Sequence, residues 1–204
     1  MGSRRLGRKR LFSLEKQGQS LTASDIGMGA GMSPALVRAH QSREGLIITT
    51  EIVLDLGTSK ADISCYGNND AIGVQGASST IFTWSLATFG RLLEIEIVCF
   101  ETPNGDEAIA DDLELHQHNS EINADATLKT VGTVVLAGDG AYAIGDAARI
   151  AVTSLSSLGQ DYSVHKYFAF AQGEASHDGA EEVYTAGKFV IRVTGQADPT
   201  NSDI

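Results

Sequence analysis

The chain has 204 residues and a mass of 21.5 kDa, with 42% hydrophobic and 20% charged residues, which excludes wholesale disorder and a coiled coil. No apolar run reaches the roughly eighteen residues of a membrane-spanning helix. A formal charge of −11 argues against a general nucleic-acid binder, and two cysteines exclude a disulfide-stapled mini-protein and a four-cysteine zinc site.

Charge is unevenly distributed along the chain. Residues 1–43 hold eight cations (Arg4, Arg5, Arg8, Lys9, Arg10, Lys16, Arg38 and Arg43) against Glu15 and Asp25, a balance of +6, and the remainder carries −17. Gly, Ser and Gln interrupt the apolar residues here, so residues 1–44 are expected to form a basic, mostly extended N-terminal arm that adds little to a core. One short helix is expected within it, capped by Ser33, with Pro34 at its first position and Ala35 to His40 following. No targeting signal is expected. Glu15-Lys16 stops Leu11-Phe12-Ser13-Leu14 short of a secretory core, and no clean amphipathic helix follows the cations.

From residue 46 the dominant period is two. In Leu46 to Leu56, the residues Leu46, Ile48, Ile52, Leu54 and Leu56 share a face opposite Thr49, Glu51 and Asp55. In Arg91 to Glu101, Leu93, Ile95, Ile97 and Cys99 share a face, while Glu94 and Glu96 point the other way. Further strands are predicted over Ala61–Tyr66, Thr80–Leu86, Thr127–Leu136, Ala148–Leu155, Val164–Gln172 and Lys188–Thr194. Turn signals such as Gly67-Asn68-Asn69-Asp70, Pro103-Asn104-Gly105-Asp106 and Gly138-Asp139-Gly140 separate them. Without helical stretches between strands, the expected fold is all-β: an antiparallel β-sandwich over residues 45–195, with a jelly roll as one candidate form. Residues 196–204 are expected to be a polar, frayed tail.

Candidate chemistry is sparse. His116 and His118 are two apart, so on a strand both imidazoles face one way, and Asp111, Asp112 and Glu114 lie just upstream. No third ligand has a recognisable spacing, and the favoured reading is a solvated acidic loop entering an edge strand, with no metal and no cofactor. Asp106, Glu107, Asp111 and Asp112, and the pair Asp139 and Asp146, lack the calcium-loop spacing of an EF-hand. Gly27-Met28-Gly29-Ala30-Gly31 has no preceding predicted strand and no closing Gly-Lys-Ser/Thr, so its expected role is close approach of backbone to a surface. No Gly-x-Ser-x-Gly elbow is present. Cys65 and Cys99 fall in predicted strands as buried thiols, with a disulfide between them left open. Trp84, Tyr167, Phe168 and Phe170 read as core before they read as a sugar-binding platform.

Two stretches carry a resemblance. Leu92 to Pro103 (LLEIEIVCFETP) runs into an acidic loop. Lys166-Tyr167-Phe168-Ala169-Phe170 is followed after a loop by Tyr184-Thr185-Ala186-Gly187-Lys188-Phe189-Val190-Ile191. Both resemble segments of small virion structural proteins of marine tailed bacteriophages, as does the opening from Met1 to Leu14. The resemblance implies a non-enzymatic virion component, with a capsid decoration or cement protein as the chosen reading. Its site is the arm, through Arg4, Arg5, Arg8, Lys9, Arg10, Leu11, Phe12 and Leu14. Its expected partners are the major capsid protein or other virion proteins and further copies of itself, with nucleic acid touched only through the arm and no membrane. Its expected location is the virion, assembled in the bacterial cytoplasm. The alternative is a receptor- or carbohydrate-binding β-sandwich of a tail or surface fibre. A jelly-roll enzyme using the His116 and His118 pair is a third possibility, without a supporting constellation.

Overall fold

The computed structural model describes residues 16–58, 60, 62–67, 70–105, 113–124, 133–136, 142–151, 166–173 and 182–197. These hold strands β1 (Lys16–Leu21), β2 (Leu36–Glu44), β3 (Ile47–Asp55), β4 (Ser64–Cys65), β5 (Phe82–Trp84), β6 (Arg91–Gly105), β7 (Leu113–His118), β8 (Thr133–Leu136), β9 (Ala147–Ala151), β10 (Lys166–Gln172) and β11 (Glu182–Gln196). One α-helical turn, α1 (Leu86–Phe89), starts at Ser85, whose side chain accepts a hydrogen bond from the Thr88 amide.

The strands form an antiparallel sandwich. The larger sheet runs β1-β2-β3-β11-β6-β9, with β4 pairing the start of β11, and the smaller runs β5-β10-β7-β8. Without β1, β2 and β4, the order β3-β11-β6-β9 faces β5-β10-β7-β8, and the chain crosses between sheets at every step except β7 to β8. That is the strand order of a jelly roll. The expected all-β sandwich is therefore the observed fold, and the topology selects its jelly-roll form.

The expected arm is corrected from residue 16 onward. Residues 16–44 belong to the folded body: β1 pairs β2 over six residues, and β2 pairs β3 from Glu44 to Leu36. Ile26, Met32, Ala35 and Ala39 are buried in the main core. The stretch looked unstructured because β2 buries only the small Ala39 and leaves mostly polar side chains toward solvent. The expected helix also shrinks to one 3-10 turn, Ser33–Ala35; Ser33 is inside it rather than capping it, and Leu36 is already extended. Pairing with β3 outweighs the local helix preference of Ala35 to His40. At the other end, Gln196 closes β11 and Ala197 is buried, so the tail begins later than expected.

Other strand boundaries move for identifiable reasons. Among the described residues of the predicted Ala61–Tyr66 strand, 62–66, only Ser64–Cys65 is strand. In β6, Leu92 rather than Leu93 is buried alongside Ile95, Ile97 and Cys99. The register shifts between Thr194 and Gly195 on the neighbouring β11, which breaks the alternation at that end. The predicted strand residues 127–132 and 152–155 lie outside the described residues.

Between the sheets, Ile52, Leu54, Phe189, Ile191, Ile95 and Ile97 meet Phe82, Trp84, Phe168, Phe170, Leu113 and Leu115. The Phe82 and Phe168 rings stack at 4.4 Å within the smaller sheet, and Phe170 reaches Phe189 of the larger sheet at 5.5 Å. Trp84 donates its indole N–H to the Gly90 carbonyl at 3.0 Å. Trp84, Phe168 and Phe170 are therefore core, as expected for large buried rings, whereas Tyr167 is half-buried on the opposite face of β10. The outer face of the smaller sheet is covered too: Ala71 and Ile122 pack on Ala169 and Ala171 in a second, small cluster. Burial on both faces explains why β10 is an unbroken buried run from Phe168 to Gln172.

The glycine run has a structural role. Gly29 and Gly31 donate their amides to Thr80 and Ser78 carbonyls, both at 2.8 Å, and the Thr83 amide donates to Ile26. This seam closes the open edge of β5. A Cβ on Gly29 would lie 2.4 Å from both the Ser78 carbonyl oxygen and its Oγ. The expectation of close backbone approach holds, on this body's own edge.

Candidate functional site

The histidine pair was the most chemically suggestive sequence feature. His116 and His118 lie on β7, on the face opposite the sandwich core, as their spacing requires. Their partners diverge. His116 is fully buried and its Nε2 lies 3.0 Å from Glu114 Oε2. His118 Nδ1 instead accepts from the Ser120 amide at 3.2 Å, with the Ser120 hydroxyl at 3.0 Å. Among the described residues no three His, Cys, Asp or Glu side chains gather as a metal site. Asp106, Glu107, Asp111, Asp112 and Asp139 lie outside the described residues.

Burial lowers the His116 pKa from its ordinary value, and the Glu114 carboxylate pushes against that. Neutral His116 carrying its proton on Nε2 donates to Glu114 and leaves Nδ1 as a bare acceptor, which has no partner among the described residues. The pair thus reads as structural, His116 bonding Glu114 of its own strand and His118 the bend that follows β7. Asp146, offered with Asp139 as a calcium pair, caps its own turn by accepting from the Ala143 amide at 2.8 Å. Cys65 and Cys99 are buried and not joined to each other, and burial raises the Cys99 thiol pKa.

The described surface is most elaborately built on the outer face of the larger sheet. Register aligns residues in rows across the strands. One row is charged: Glu51 of β3, Arg192 of β11, Glu96 of β6 and Arg149 of β9. Arg192 bridges Glu51 at 3.7 Å and also Glu96, Arg38 joins Glu51 at 2.8 Å, and Arg149 pairs diagonally with Glu94. The next row is apolar: Val53, Val190, Val98 and Ala147. Beyond it Lys188 bridges Asp55 at 3.3 Å and Glu101 at 2.8 Å.

One exposed aromatic raises the apolar character of this face, and an exposed isoleucine stands on the turn before β9. Phe100 is 59% exposed, and the register passes from Cys99–Phe189 to Glu101–Lys188, so Phe100 is the extra residue of a β-bulge. Ile144 is 72% exposed on the turn that hydrogen-bonds Cys99 through Gly145 and Asp146. Sequence alternation placed Glu51, Glu94 and Glu96 on the outer face. The row alignment and the bulge needed the register.

The sequence-derived arm residues Arg4, Arg5, Arg8, Lys9, Arg10, Leu11, Phe12 and Leu14 lie outside the described residues. They immediately precede β1, an edge strand of the larger sheet. No family model, no curated protein and no solved structure matches the chain.

Proposed function

We propose that this chain is a non-enzymatic structural component of a phage virion, a capsid decoration or cement protein fastened to the shell by its basic N-terminal residues. The observation that carries the reading is the jelly-roll strand order with an added β1–β2 pair, whose edge strand β1 begins at Lys16. Jelly rolls recur in viral capsid proteins, although a fold alone never fixes a function. The charge division adds support: residues 1–15 carry five cations against Glu15 alone, while the whole chain stands at −11. Such a segment suits an acidic groove with apolar pockets for Leu11, Phe12 and Leu14 on the major capsid protein or another virion protein. Any nucleic-acid contact would fall to the same cations.

Jelly rolls are also a lectin architecture, which keeps the carbohydrate-binding alternative in view. It is the weaker reading, because Trp84, Phe168 and Phe170 are committed to the core. The test is mass spectrometry of purified particles of the encoding phage, with a glycan array beside it. Stoichiometric recovery of the chain with intact heads supports a shell component. Absence from particles, or recovery only with tails together with a specific glycan signal, overturns it.

A further inference from the structure

We infer that the outer face of the larger sheet is a self-complementary surface that binds a second copy of this chain about a two-fold axis. The inference is independent of the virion reading. It rests on the sign pattern of one row, Glu51, Arg192, Glu96 and Arg149, which alternates across four adjacent strands.

Consider a two-fold axis in the plane of contact, parallel to the strands and midway between β11 and β6. It brings each residue of a row opposite its mirror position in the partner copy. Glu51 then faces the second copy's Arg149, and Arg192 faces the second copy's Glu96, so all four charges meet an opposite sign. In the neighbouring row Val190 faces Val98 and Val53 faces Ala147. One row further, Lys188 faces Glu101, with the exposed Phe100 beside it. Around the axis the ion pair already formed by Arg192 and Glu96 becomes a four-membered ring of alternating charge.

Charge also points to a second copy as the occupant. Each chain carries −11, so two copies repel unless their contact is locally compensated. On this face the carboxylates of Glu51, Asp55, Glu94, Glu96 and Glu101 are each bridged to Arg38, Arg149, Lys188 or Arg192. The four strands matched by the axis, about 4.8 Å apart, and seven residues at about 3.3 Å give roughly 440 Å² per copy, about 900 Å² in total, the size of a weak, reversible interface. Packed sheets lie about 30° apart because each is twisted, so the pairs nearest the axis, at β11 and β6, stay closest.

The experiment is sedimentation analysis of the full chain, with melting curves to establish that each variant is folded. Wild type should form dimers whose dissociation constant rises at least about tenfold from low to high ionic strength. Arg192→Glu sets like charges against Glu96 across the axis, and Glu96→Arg sets like charges against Arg192, so each alone should be monomeric. Mixed together they should pair, because every position of the row again meets its opposite. Phe100→Arg, at an exposed position that leaves the fold intact, should also be monomeric, since it faces Lys188. A wild type that stays monomeric at its highest soluble concentration overturns the proposal. So does a Phe100→Arg dimer of undiminished affinity, or a folded mixture of the two charge variants that does not associate.

Discussion

Gly29→Ala tests whether residues 22–35 are an integral part of the body. The added Cβ would lie 2.4 Å from the Ser78 carbonyl oxygen and equally close to its Oγ, inside any real contact distance. The hydroxyl can rotate away, but the carbonyl belongs to the chain leading into β5 and cannot. The two backbones must therefore part by about 1 Å to regain ordinary van der Waals contact. That displacement weakens the Gly29–Thr80 and Gly31–Ser78 hydrogen bonds, each worth about 1 kcal/mol net. It also loosens Ile26 and Met32, both fully buried beside the seam. A loss of roughly 2–4 kcal/mol follows from those bonds and partial loss of packing. For a domain of this size that is a fall in melting temperature of about 5–15 °C. Gly45→Ala is the control: its φ of +60° carries a strain of about 1 kcal/mol, but no atom lies within 4 Å of the new Cβ. Urea and thermal melts of both variants decide the matter. A Gly29→Ala protein as stable as wild type would mean that the glycine seam is not packed against β5.

Three further outcomes are expected. Ile97→Asp should unfold the protein, because an unpaired carboxylate in the centre of the sandwich costs several kcal/mol, comparable with total stability; Glu96→Gln, on the opposite face, should change the monomer's melting by less than about 1 kcal/mol. Burial holds the His116 pKa below its unfolded value of about 6.5, so its contribution to stability is full above that pH and is lost as pH falls through the lowered native value. Denaturant melts between pH 7 and pH 5 should accordingly show falling stability, and His116→Gln should flatten the slope; an unchanged slope would show that His116 is not the titrating group. Finally, a chain starting at Lys16 should fold, whereas one starting at Glu44 loses β1, β2, Ile26, Met32 and Ala39 and should not, as near-ultraviolet circular dichroism will report.

Legibility in the sequence followed how many faces of each strand are buried. β3 was readable because Ile48, Ile52 and Leu54 alternate cleanly with Thr49, Glu51 and Val53. β6 was readable through Ile95, Ile97 and Cys99, slipped where the opposing strand shifts register near Gly195, and ran on past Glu101 through the Pro103-Asn104-Gly105 stretch read as a turn. β2 was hidden because its one deeply buried side chain is Ala39, which gives no hydrophobic signal. β10 was found from its aromatics, but its two-sided burial depends on Ala71 and Ile122, distant in sequence. The His116 and His118 spacing correctly predicted a shared face. It could not reveal that Glu114 and Ser120 engage the two rings separately. The charged row on the larger sheet was visible as outward-facing acids, but matching Glu51, Arg192, Glu96 and Arg149 across four strands required their pairing.

The central claim is attachment to the shell through the N-terminal cations and the apolar residues beside them. It is tested most directly by co-sedimenting the full chain, and the chain starting at Lys16, with capsids of the encoding phage. The full chain should sediment with capsids, with part of the binding lost as salt is raised, and the folded shortened chain should stay in the supernatant. Undiminished occupancy by the shortened chain would contradict the account and move the attachment to the sheet faces.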